Sequence, residues 1–137
     1  MKHRIKLHHI SYAVRDTDKS IVSFRHIYPE VVMYKKKEPS QKVKITYLKA
    51  KDSKEMVELV EPYGKEGPVT SMLLTKTSLL YHTCYEVDDF DYFRSVFKKK
   101  GYFLITSPFL SNYEKNNWVC HFYDSRSGVI EIMGKKI

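Results

Sequence analysis

Cysteine is scarce in this chain of 137 residues, which has only Cys84 and Cys120. Two cysteines cannot build a disulfide framework, and theirs is not the spacing of a metal-binding pair, so both are expected as buried reduced thiols. That expectation fits a reducing compartment. Long apolar runs are missing too. No stretch approaches the ~20 residues that a membrane span needs, and residues 1–6 are basic without the apolar core of a secretory signal. The sequence therefore reads as that of a soluble, cytoplasmic protein with no membrane partner. Low-complexity segments are absent, and 42% hydrophobic with 14% aromatic content is enough to close a core, which argues against disorder.

Acidic residues are in the minority, 16 against 24 Lys and Arg, giving a formal charge of +8. The excess gathers in Lys35-Lys36-Lys37, Lys98-Lys99-Lys100 and Lys135-Lys136. Such runs are compatible with an anionic partner, but solvated faces explain them more simply. Lys98 to Lys100 sit just before Gly101, where a helix is expected to end, so these cations face the negative end of its dipole. Eleven tyrosines accompany the basic charge, yet no recognised RNA-binding signature does, and no nucleic-acid partner is expected.

What is present is an internal repeat, and a repeat fixes which positions are equivalent. A shift of 73 residues places Leu7 on Leu80, His9 on His82, Tyr12 on Tyr85, Val14 on Val87 and Phe24 on Phe97. Asp16 and Asp18 fall on Asp89 and Asp91, and the same shift carries Glu58 onto Glu131. Identities at one offset, spread over the length of both halves, indicate duplication and fusion.

Each half opens with strand-like alternation: Ile10, Tyr12 and Val14 face one way, His9, Ser11 and Ala13 the other. Asp16 and Asp18, and later Asp89 and Asp91, then cap helices carrying Ile21, Phe24 and Ile27, or Phe90, Phe93 and Phe97, at helical spacing. Strand-like runs follow at 31–34, 43–48 and 56–60, and less clearly at 102–105, 118–123 and 129–133. Between the halves, Glu61-Pro62-Tyr63-Gly64 and Gly67-Pro68 break the pattern, and 69–76 is a candidate short helix. The expected fold is α+β: two tandem βαβββ modules, about 5–62 and 78–135, forming one incomplete barrel in a single domain, 1–137. Modules of about 60 residues bury too little alone, so the halves are expected to share a sheet or core.

Alternation turns His9 and His82 away from the helix side, and Glu58 and Glu131 take matching places on the last strands. Two imidazoles and two carboxylates suit a borderline divalent cation with positions left open for water or substrate. The alternative is that the histidines are satisfied core residues and the glutamates belong to salt bridges. Four ionisable groups placed inward on apolar strands at a fixed offset favour the metal, because each is costly to bury unless paired or ligating.

The motifs His-His-Ile-Ser-Tyr-Ala-Val at 8–14, Val-Glu-Leu-Val-Glu-Pro at 57–62, Tyr-His-Thr-Cys-Tyr-Glu-Val-Asp-Asp at 81–89 and Ser-Gly-Val-Ile-Glu-Ile at 127–132 resemble the vicinal-oxygen-chelate superfamily. This is the glyoxalase and bleomycin-resistance group. The resemblance spans about Leu7 to Gly134 and is closest to methylmalonyl-CoA epimerase-like members, then to lactoylglutathione lyase-like ones. It implies that His9, Glu58, His82 and Glu131 hold cobalt, nickel, zinc or manganese, with His8 beside the ligand set. It also implies a small-molecule substrate, an acyl-CoA or a thiol adduct, whose proton next to a carbonyl is moved by Glu131, or by Glu58, while the cation stabilises the enolate. A homodimer is implied in the same way. A non-catalytic protein that sequesters a drug or metabolite shares this fold, but often lacks the ligands that are all present here.

Two features depart from the epimerase pattern. The run Val43-Lys44-Ile45-Thr46-Tyr47-Leu48 has no carboxylate where some epimerases carry a second catalytic glutamate, so a second base must be Glu58, Glu38 or water. The usual aromatic-plus-Leu-Gly ending of the first helix is replaced by Ile27-Tyr28-Pro29-Glu30. Cys84 and Glu86 share the face of His82 and read as a packed thiol and a rim carboxylate. Trp118, His121 and Tyr123 read as core or sheet packing, and 113–117 as a loop at the cleft mouth.

Overall fold

The protein is described from a computed structural model covering every residue except Met1, Asn112, Tyr113 and Lys115. Tyr113 and Lys115 of the expected 113–117 loop thus lie outside the described residues. The elements run β1 (Ile5–Val14), α1 (Thr17–Phe24), β2 (Glu30–Glu38), β3 (Val43–Lys49), β4 (Met56–Pro62), α2 (Pro68–Met72) and β5 (Ser78–Val87). They continue as α3 (Phe90–Lys99), β6 (Phe103–Leu104), β7 (Phe109–Leu110), β8 (Trp118–Asp124) and β9 (Gly128–Gly134). This is the mixed α+β fold expected. None of the described helices is long and apolar enough to cross a membrane.

The chain divides into two compact units, one of residues 9–81 and one of residues 1–8 with 82–137. In the first, the strand order is β2-β3-β4-β1, antiparallel except that β4 and β1 run parallel. The second repeats it as β5-β9-β8-β6, with β7 also on β8 and with β5 and β9 parallel. The duplication is visible residue by residue. Ile10 faces Val57 and Ser11 faces Glu58 in one unit, and Thr83 faces Ile130 and Cys84 faces Glu131 in the other, all at the offset of 73.

Helices α1 and α3 start where the aspartate pattern places them. Asp16 and Asp89 are extended and accept hydrogen bonds from the backbone N–H of Lys19 and Tyr92, satisfying one free donor of the first turn. The helix side of the first unit packs Val14, Leu48, Val57 and Leu59 against Ile21 and Phe24. In the second, Phe90 and Phe93 pack with Val87, Phe122, Ile130 and Ile132. At ~25 cal/mol per Å² of apolar area removed from water, these faces supply most of each unit's stability. The opposite faces are left to the polar residues.

Three expectations need correction. The first helix stops at Phe24 with Arg25 as its cap, and Ile27 is 63% exposed rather than on a helical stripe. Pro29 disfavours a helical Tyr28, so the chain leaves the helix before it. The 69–76 helix is only Pro68–Met72, with Arg15 of β1's end bonding the carbonyls of Leu73 and Leu74 that follow. The 102–105 strand shrinks to Phe103–Leu104, and β7 was not expected at all. By contrast α3 ends at Lys99, and Gly101 takes the positive φ of 93° foreseen for a helix stop.

Candidate metal centre

In the first unit, β1 and β4 run side by side and place His9 and Glu58 on the face away from α1. His9 Nε2 lies 3.4 Å from Glu58 Oε1, and both side chains are fully buried. Tyr47, directly opposite Glu58 on β3, packs its ring 5.2 Å from that of His9. Glu38, the other candidate base, is also buried, and the Ser40 hydroxyl donates to its Oε1 at 2.5 Å. Its pairing with Val43 puts it on the Tyr47 and Glu58 face.

In the second unit, β5 and β9 repeat the arrangement. His82 Nε2 is 3.5 Å from Glu131 Oε1. A third group joins them: His121 Nε2 is 2.7 Å from Glu131 Oε2, and His82, His121 and Glu131 each offer a ligand atom within 4.8 Å of the others. All three are buried. Burial raises the Glu131 carboxyl, and it is outweighed by the charges of His82 and His121 and their hydrogen bonds, which hold it well below its ordinary 4.5.

The donor set fits a divalent cation on geometry as well as type. Two ligands about 2.0–2.2 Å from one ion, at tetrahedral to octahedral angles, stand about 3.0–3.5 Å apart. The His9–Glu58 and His82–Glu131 spacings fall at the upper end of that range. In each unit a buried imidazole beside a buried carboxylate is what such an ion stabilises, and what a plain core avoids.

Trp118 does not share the face of His121. It packs with Cys120 and Phe122 on the helix side, while His121 points the other way. Cys84 is packed with Val119 and Met133, as expected of a structural thiol, and Glu86 pairs with Lys6 at the surface. His8 stands beside the set and meets Glu114 at 3.6 Å. The basic runs have local explanations: Lys35 pairs with Asp18, and Lys136 lies 3.9 Å over the Trp118 ring.

The sequence reads His121 as packing, and the shift of 73 puts it on Leu48. The strand registers show why the repeat hides it. Tyr47 faces Glu58 and His121 faces Glu131, so the equivalent residues are 74 apart on these strands, the path from Tyr47 to Glu58 being one residue longer than that from His121 to Glu131. Allowing the offset to slip by one between strands is the signal that finds it.

Residues 8–121 match the family model described as the glyoxalase/bleomycin resistance protein/dioxygenase superfamily. The chain belongs to this superfamily. Among superfamily relatives, the ethylmalonyl-CoA/methylmalonyl-CoA epimerase of Cereibacter sphaeroides is 27% identical over 97 residues, 70% of this chain and 71% of that protein. Methylmalonyl-CoA epimerase from Mycobacterium tuberculosis shares the fold with a TM-score of 0.80 at 16% identity, over 96% of this chain and 88% of that one. A variant of Streptomyces coelicolor methylmalonyl-CoA epimerase, solved with 2-nitronate-propionyl-CoA, also gives 0.80, at 19% identity over 96% and 98% of the two chains.

Proposed function

We propose that the protein is a divalent-metal-dependent epimerase that moves a proton at the carbon next to an acyl-CoA carbonyl. What carries the reading is the recurrence of one buried His–Glu pair at ligand spacing in each unit, in a chain similar to methylmalonyl-CoA epimerases. On this reading His9, Glu58, His82 and Glu131 are the metal ligands, and the ion is cobalt, nickel, zinc or manganese. A bound cation supplies Lewis-acid polarisation of a carbonyl oxygen.

The chain's own residues do the rest. Glu131 takes the proton as the carbon–hydrogen bond breaks, and the electron pair is left as an enolate. Glu58, its twin from the other half, returns a proton to the opposite face, which inverts the centre with no net change of atoms. Positions 43–48 offer no carboxylate, so Glu58 is the second base, with the buried Glu38 in reserve. Buried walls such as Tyr47 and Val119 keep bulk water from quenching the carbanion. The lactoylglutathione lyase alternative gains no comparable support.

The test is deuterium exchange. Metal-loaded protein is incubated with methylmalonyl-CoA in deuterated water, and label at the carbon bearing the methyl group is followed by mass spectrometry and NMR. Wash-in with inversion is expected, lost in Glu131→Gln. No exchange by protein that carries its metal would rule the reaction out, and the methylglyoxal–glutathione adduct in parallel reports on the lyase.

A further inference from the structure

We propose that Tyr123 and Phe103 form an aromatic platform for the arm of an acyl-CoA where it leaves the candidate centre, next to the thioester sulfur. The inference rests on the acyl-CoA reading above and names the residues that bind that part of the substrate. It starts from the registers of the second unit, where Glu131 on β9 faces His121 on β8. Two residues along these strands in one direction, Met133 pairs with Val119 and Val119 with Phe109. In the other direction, Val129 pairs with Tyr123 and Tyr123 with Phe103. Side chains two apart on a strand share a face, so both rows flank the Glu131–His121 row at about 6.5–7 Å.

The two rows differ in exposure. Met133 and Val119 are fully buried with Cys84 and packed against Phe109, which closes that side. Tyr123 and Phe103 are 45% and 69% exposed, so the face is open over their rings. The repeat supplies an internal comparison. In the first unit the same pairing builds the equivalent row from Met56, Lys49 and Glu30. There Lys49 Nζ reaches Glu30 Oε2 at 3.3 Å. The fold therefore accepts a solvated ion pair at this place, and the sheet does not need the two rings. Paired aromatic side chains left in water where the twin row is charged mark a binding surface.

The chemistry of the occupant follows from the rings. Beside its thioester, an acyl-CoA arm is a sulfur and methylenes, which an ion pair does not hold. Aromatic faces cover methylenes, and sulfur makes favourable contacts with aromatic rings. With the reacting carbon at Glu131, an arm running out over Val129, Tyr123 and Phe103 takes apolar surface on both sides out of water. Such contacts are the same before and during proton transfer, so they set binding rather than the chemical step.

The test carries the first unit's ion pair into the second: Phe103→Glu combined with Tyr123→Lys is compared with Tyr123→Ala and wild type. Cobalt-loaded protein is titrated calorimetrically with propionyl-CoA, and exchange of methylmalonyl-CoA is followed in parallel. The double variant should bind propionyl-CoA at least about 10-fold more weakly, with Tyr123→Ala between it and wild type. It should raise KM more than it lowers kcat, with melting temperature and cobalt affinity as in wild type. If the double variant fails to fold, Tyr123→Ala still reads the contact. Unchanged propionyl-CoA affinity in the folded variants would overturn the proposal, and a shift in their elution volume would then make the row an interface between copies of the chain. A loss confined to the full coenzyme thioester, with S-propionyl-N-acetylcysteamine bound equally by all three proteins, would also overturn it. So would failure of cobalt-loaded wild type to bind propionyl-CoA. Weakened binding in the variants, with no exchange by wild type, would keep the platform and remove the epimerase reading, so the two fail separately.

Discussion

Replacing Gly134 with alanine should damage the fold and the candidate centre together. Gly134 ends β9 directly beside Val87 of β5. A Cβ built on it would lie 2.3 Å from the Val87 carbonyl oxygen and 2.9 Å from Val87 Cγ2. The first distance is about 0.7 Å inside the 3.0 Å that real Cβ contacts keep. The side-chain methyl can turn away, but the carbonyl belongs to the ladder and cannot. Overpacking of this kind costs about 1–3 kcal/mol, and a backbone collision belongs at the upper end. The first half supports the point: its parallel pairing stops at Ala13 and Val60, whereas the second half continues one step further, through Val87 and Gly134. The glycine is what permits that last step.

With about 4 °C lost per kcal/mol for a chain of this size, Gly134→Ala should lower the melting temperature by about 10 °C, read by circular dichroism. Because the same strand pair sets His82 beside Glu131, its cobalt affinity should fall too. Gly101→Ala is the control. Nothing lies within 4 Å of a Cβ there, and only its φ of 93° is strained, so about 1–2 kcal/mol is expected with metal binding intact. A melting temperature for Gly134→Ala within about 2 °C of wild type would refute the collision argument.

Other outcomes follow from burial and charge. In chelator-treated protein the Glu131 carboxyl is held below its ordinary 4.5, so the stability it contributes is present above that value and is lost as pH falls toward its lowered one. Urea midpoints should decline on acidification, and less steeply in Glu131→Gln; identical slopes would contradict the assignment. The Cys120 thiol is pushed up to about 12, chiefly by burial, so it should resist alkylation at mildly alkaline pH until the chain is unfolded, as mass spectrometry of native and denatured samples will report. Phe90→Ala empties a fully buried position and should cost about 3–5 kcal/mol in urea unfolding. Asp89→Ala removes a cap and should cost about 1 kcal/mol with no effect on metal affinity.

Much of this architecture was legible in the sequence because duplication writes the same physics twice. The aspartate caps, the alternation of His9 with Ile10 and the equivalence of Glu58 and Glu131 all survive in the structure at the predicted offset. What was not legible depends on backbone detail. The charged end of β2, Lys35 to Glu38, lies beyond the strand-like run at 31–34, yet it pairs with β3 across register shifts, with Lys35 at a φ of 46°. Phe109–Leu110 is too short to show any period. His121 carries no signal at the fixed offset of 73, since it comes to face Glu131 through a one-residue slip between hairpins, and Thr106 meets His121 only through tertiary packing.

On the proposed reading, one His and one Glu from each half of the sequence hold a common ion. Titration of metal-free protein with cobalt(II), followed by its visible absorption, tests this directly in wild type, His9→Ala, Glu58→Ala, His82→Ala and Glu131→Ala. One ion per chain, with every one of the four variants binding at least about 10-fold more weakly, is the result expected. Two independent ions per chain, or full affinity in the variants of either half, would contradict it.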